Sequence, residues 1–112
     1  MRRFDYRAPR FQVNLPVRLT LENSTWIGRC KEISIEGMLL ETRVPLSLDA
    51  TGVIHAACCD AVLDVPVRVA HCSTHCEGLQ FQCESAGQQQ EVERFVERLV
   101  TTTRHAGPER LS

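Results

Sequence analysis

From Phe11 to Leu21 every second residue is apolar: Phe11, Val13, Leu15, Val17, Leu19 and Leu21 share one parity. Gln12, Asn14, Arg18 and Thr20 take the other. A period of two puts all six apolar side chains on one face of an extended strand. A strand with one apolar face must be covered, so this segment demands a sheet and a partner layer. Pro16 falls on the polar parity, where a strand edge tolerates its missing N–H.

The pattern recurs in shorter pieces. Residues 26–35 read as a second strand and 38–42 as a third, with a turn at Gly37. Residues 52–59 and 61–71 read as two strands meeting near Asp60, and 78–83 as the last. Val65, Val67 and Val69 alternate with Pro66, Arg68 and Ala70. Between them, 22–24 and 73–77 read as turns, and the loop before residue 52 is marked by Pro45 and Asp49.

After Ala86 the period changes. Val92, Phe95, Val96, Leu99 and Val100 recur at helical spacing, with Glu91, Glu93, Arg94, Glu97 and Arg98 opposite. This predicts an amphipathic helix, with Ser85 as its N-cap. Many short strands followed by one helix predict an all-β-dominated domain, a small antiparallel barrel or sandwich. The helix would lie against an open face or mouth. Aromatic residues make up 5% of the chain, so valine, leucine and isoleucine must fill the core. The predicted organisation is an arginine-rich arm over residues 1–10, a barrel plus helix over 11–103, and a flexible tail over 104–112.

The 112 residues suit one domain with one modest core. A formal net charge of −1 speaks against a polyelectrolyte binder, so no DNA or RNA partner is expected. The positive charge is local. Arg2, Arg3, Arg7 and Arg10 crowd the start, with Asp5 the lone acid among them. Such an excess suits phosphate better than bulk nucleic acid. No apolar run of about eighteen residues offers a membrane span. The N-terminus also lacks the apolar core of a signal peptide. Cytoplasmic location and reduced thiols are therefore expected for Cys30, Cys58, Cys59, Cys72, Cys76 and Cys83.

Downstream of the arginines stands Glu32-Ile33-Ser34-Ile35-Glu36-Gly37. Guanidinium forks match phosphate oxygens and stack on aromatic faces. A carboxylate, a hydroxyl and a glycine facing them would complete a site for an anionic, planar ligand. The order of the arm, the strand starting Arg10-Phe11-Gln12-Val13-Asn14-Leu15-Pro16-Val17, and Glu32-Ile33-Ser34-Ile35-Glu36-Gly37-Met38-Leu39-Leu40 resembles the PilZ domain. PilZ domains are a bacterial receptor family for cyclic di-GMP, carrying RxxxR and then [D/N]xSxxG. The Gly78-Leu79-Gln80-Phe81 segment and the terminal helix extend the likeness over nearly the whole chain.

The resemblance implies a six-stranded antiparallel barrel with a helix near its C-terminus. It also implies a non-catalytic receptor with no cofactor beyond the ligand itself, cyclic di-GMP. Arg3 and Arg7, with Arg10 as a further contact, would grip phosphates and stack on guanine. Glu32, Ser34 and Gly37 would line the facing wall. Binding would order the arm and alter a surface read by a downstream protein. The terminal helix is also a surface through which copies could pair.

Two departures bear on this. Arg3-Phe4-Asp5-Tyr6-Arg7 is a literal RxxxR, yet the place directly before the first strand belongs to Arg10. In that register the first arginine position falls on Tyr6. Glu32 stands where the family has Asp or Asn, its carboxylate one methylene further out. The alternative is a degenerate PilZ-like module that binds proteins and no nucleotide.

His71-Cys72-Ser73-Thr74-His75-Cys76 is the competing chemistry. Zinc accepts thiolate and imidazole tetrahedrally. Strand alternation, however, sends adjacent His71 and Cys72 to opposite faces, and Cys58-Cys59 would have to supply a second half. The reading is no metal site, with the thiols as small apolar side chains. A Cys72–Cys76 disulfide across the hairpin stays open, and no orienting group for a cysteine nucleophile is legible.

Overall fold

The computed structural model describes residues 9–111 apart from Cys59 and His75, with side chains through Thr102. Six strands run in chain order: β1 Phe11–Leu21, β2 Ser24–Ile33, β3 Gly37–Glu41, β4 Thr51–Cys58, β5 Ala61–Cys72 and β6 Cys76–Phe81. One helix follows, α1 Ala86–Leu111. Every strand pairing is antiparallel, and the sheet closes as β1-β2-β3-β6-β5-β4. The fold is therefore a closed barrel, and the sandwich alternative falls. Closure gives every strand a neighbour on both sides.

The alternating residues fill the interior. Val17 and Leu19 of β1, Leu63, Val65, Val67 and Val69 of β5, and Leu79 of β6 are all buried. Phe11, Val13, Leu15 and Leu21 pack against this core from its rim. β4 pairs with β1 only over Arg18, Leu19 and Thr20. Pro16 thus stands on a stretch of β1 that β4 leaves open.

α1 packs mainly against β5, through buried Val92, Phe95, Val96 and Leu99. Its start is capped as the sequence predicts. Gln88 N–H donates to Ser85 Oγ at 3.1 Å, and Glu84 N–H donates to Gln88 Oε1 at 2.8 Å. Ser85→Ala should cost about 1 kcal/mol of stability, readable as a lower urea midpoint at unchanged slope. The helix runs to Leu111, beyond residue 103 where the apolar stripe suggests that it ends. No glycine or proline interrupts residues 88–106, so helical hydrogen bonding outlasts the stripe.

Two bulges decide which residues face outward. The β2–β3 register shifts between Cys30 and Glu32. Strict alternation would send Cys30 and Glu32 to the same face. The extra residue instead leaves Cys30 and Ile33 both fully buried and turns Glu32 outward. The Cys30 thiol ties the bulge by donating to the Glu32 carbonyl at 3.2 Å. A second shift lies between Gln12 and Leu15 on β1.

Candidate functional site

The turn between β2 and β3 is held from within. Ser34 N–H donates to the Gly37 carbonyl at 2.9 Å, and Glu36 N–H donates to Ser34 Oγ at 3.0 Å. Ser34 is fully buried, so its hydroxyl shapes the turn from inside, as serine does when it bonds the backbone two residues on. Phe81 N–H donates to the Glu36 carbonyl at 2.9 Å, which fastens the turn to the end of β6. Gly37 has no positive φ. A Cβ there would stand 2.1 Å from the Leu79 carbonyl oxygen. Its glycine is required by the close approach of β6.

Arg10 and Glu32 meet beside this turn. Arg10 Nη1 lies 3.6 Å from Glu32 Oε1, with the arginine about half exposed and Glu32 less so. Gln12 pairs with Glu32, and Glu32 with Leu39. Arg10 is therefore brought to Glu32, beside the turn built by Ser34 and Gly37. Arg3 and Arg7 lie outside the described residues.

The sequence reading missed a polar row that continues from Gly37. Gly37 pairs with Gln80 on β6, and Gln80 pairs with Arg68 on β5. Cross-strand partners share a face, so these three sit side by side on the outside of the barrel. Arg68 Nη1 donates to Asp49 Oδ1 at 2.7 Å, and Nη2 donates to Gln80 Oε1 at 2.7 Å. Gln82 Nε2 donates to the same Gln80 oxygen at 3.4 Å. The only sequence signal for Arg68 was its polar parity between Val67 and Val69. Its neighbours across the sheet depend on the β3–β6 pairing.

The histidine and cysteine cluster does not assemble into a site. Cys72 pairs across the hairpin with Glu77, and Cys76 pairs with Glu41 on the other side. The disulfide left open by the sequence thus lacks the facing geometry, and both thiols are free. Cys72 Sγ donates to the Leu46 carbonyl at 3.3 Å. Among the described residues no three His, Cys, Asp or Glu side chains converge as for a metal ion. His75 and Cys59 lie outside those residues.

A groove of about 1000 Å³ opens at the opposite end of the β2–β3 hairpin, between Trp26, Arg29, Arg43, Val44 and Glu77. It contains none of Arg10, Glu32, Ser34, Gly37 or Arg68. Among the described residues no helix is long and apolar enough to cross a membrane.

The family model of the PilZ domain matches residues 2–98. Among solved structures, the PilZ domain of CeSA from a cellulose-synthesizing bacterium superposes with a TM-score of 0.69 at 16% identity. That match covers 78% of this chain and 93% of the other. The K. pneumonia MrkH–c-di-GMP complex superposes with a TM-score of 0.74 at 19% identity, over 91% of this chain and 55% of MrkH. MrkH in its apo state gives a TM-score of 0.65 at 20% identity, over 93% and 55%. This chain thus spans about half of MrkH. No curated protein matches it.

Proposed function

The chain belongs to the PilZ domain family, and we propose that it is a non-catalytic receptor for cyclic di-GMP that changes conformation on binding and signals to a partner protein. The observation that carries this reading is the meeting of Arg10 and Glu32, 3.6 Å apart, beside the 34–37 turn. It brings the root of the arginine arm onto the wall that the second motif builds. Arg3 and Arg7 would extend the same chemistry, offering guanidinium forks to two phosphates and flat faces to guanine. An arm of arginines could close over a dianionic ligand when charge-assisted bonds offset its ordering entropy. An intracellular messenger implies a cytoplasmic receptor.

Glu32 has two parts to play. In the free protein it holds Arg10, and in the complex it would accept from a guanine edge or keep an arm arginine in place. The added methylene relative to Asp or Asn shifts that oxygen outward.

A second reading is favoured by Ser34. Its hydroxyl is shut inside the turn, which suits a module whose motif now serves structure and whose surface binds a protein. Calorimetric titration with cyclic di-GMP separates the two. The receptor reading expects saturable heat at micromolar ligand. Folded protein giving no heat at high micromolar ligand would leave the protein-interaction module. Arg7→Ala should weaken binding about ten-fold or more, as loss of a charge-assisted contact does. Undiminished binding would move the arm register to Arg10.

A further inference from the structure

The Asp49–Arg68 pair lies beyond both sequence motifs, yet on the row that begins at Gly37 of the second. Gly37, Gln80 and Arg68 occupy adjacent positions on β3, β6 and β5. Neighbouring strands stand about 4.8 Å apart, which puts Arg68 roughly 10 Å from Gly37. Arg68 is the charged end of the row, and its side chain is 35% exposed. Asp49 and Gln80 engage two of its N–H donors, and a guanidinium carries five. The group is thus positioned, partly desolvated, and has donors left for an anion.

Asp49 belongs to the loop of residues 42–50 that carries the chain from β3 to β4. Its φ is 70°, a left-handed conformation that aspartate and asparagine tolerate better than most residues. Asp49 N–H donates to the Val69 carbonyl at 2.8 Å, and Val69 N–H donates to the Ala50 carbonyl at 2.8 Å. Further back, Leu46 N–H reaches Glu77 Oε2 at 3.4 Å, and the Cys72 thiol holds the Leu46 carbonyl. Val44 and Leu48 of this loop are exposed. One carboxylate therefore joins the candidate ligand face to a loop that presents apolar side chains to solvent.

Resting on the cyclic di-GMP reading above, we propose that Asp49 is a latch on the ligand site. In the free protein its carboxylate occupies Arg68. A bound cyclic di-GMP competes for that guanidinium through a phosphate or a guanine edge, and the 42–50 loop loses one of its ties to β5 around Asp49 as the carboxylate lets go. An exposed ion pair holds weakly, so a dianionic ligand displaces it readily. Occupancy is then reported by the loop, on the far side of the row from Arg10.

Calorimetry on four proteins tests this: parent, Asp49→Asn, Arg68→Ala and the double variant. Asparagine keeps the left-handed backbone and removes the charge. Asp49→Asn should bind cyclic di-GMP about two- to five-fold more tightly, the equivalent of one exposed ion pair. Arg68→Ala should bind about ten-fold more weakly, as for loss of a charge-assisted contact. In the double variant the gain from Asp49→Asn should vanish. Hydrogen exchange adds an independent readout: ligand should lower the protection of the Asp49 amide. If the parent binds and Arg68→Ala binds equally well, or the Asp49→Asn gain is absent or survives in the double variant, the latch is wrong and the receptor stands. If the parent binds nothing, both fall.

Discussion

Replacing Gly37 with alanine should cost about 3 kcal/mol or more, the upper range of overpacking penalties. The added Cβ would meet the Leu79 carbonyl oxygen at 2.1 Å and Gln80 Cα at 3.2 Å. Both are backbone atoms of a strand paired on each side, with β3 and with β5. No side chain can swing away to make room. Gly78 provides the comparison. A Cβ there would meet His71 Cβ at 3.1 Å, which a shift of a few tenths of an ångström relieves, and no backbone atom closer than 3.8 Å, so Gly78→Ala should cost less, about 1 kcal/mol. Urea unfolding of the two variants checks the contrast. Equal midpoints for Gly37→Ala and parent would mean that the β3–β6 seam relaxes freely. On the proposed receptor reading the same substitution should also weaken cyclic di-GMP binding, because Gln80 moves with β6 and disturbs Arg68, which it holds from β5.

This position shows what a sequence can and cannot disclose. The motif singled out Gly37 as a turn or a point of ligand approach. Its φ is ordinary, and the constraint comes from Leu79, more than forty residues later in the chain. The strands themselves were legible because period two survives in a single sequence, and β1 falls on residues 11–21 as alternation predicts. The helical stripe and the Ser85 cap were legible for the same local reason. The bulge between Cys30 and Glu32 was not, since one extra residue in a strand leaves no compositional trace. It nevertheless decides that Glu32 turns outward to meet Arg10. The place of Arg68 on one row with Gly37 was invisible because it is set by register across β6.

The buried thiol behind Glu32 should make the fold sensitive to alkali. Cys30 is fully buried, and its pKa is pushed from 9.0 up to about 12, chiefly by burial, with the Glu32 charge adding to the rise. The neutral thiol is thus the form that the folded state favours. In the unfolded chain the thiol ionises near its ordinary value. Below pH 9 both states hold the proton, and stability is unaffected. Between pH 9 and 12 the unfolded state loses it first, so stability falls as pH rises. A gap of this size corresponds to about 4 kcal/mol by pH 12. Cys30→Ser isolates the effect, since a serine hydroxyl keeps a donor for the Glu32 carbonyl and does not titrate there. Urea unfolding at stepped pH should give a stability curve for the parent that drops well below that of Cys30→Ser above pH 9. Parallel curves would show that the thiol ionises alike in both states. The same thiol ties the bulge that turns Glu32 outward. Because the folded thiol keeps its proton to about pH 12, that tie holds until the fold itself gives way, and cyclic di-GMP binding should not fail through this thiol at lower pH than the fold.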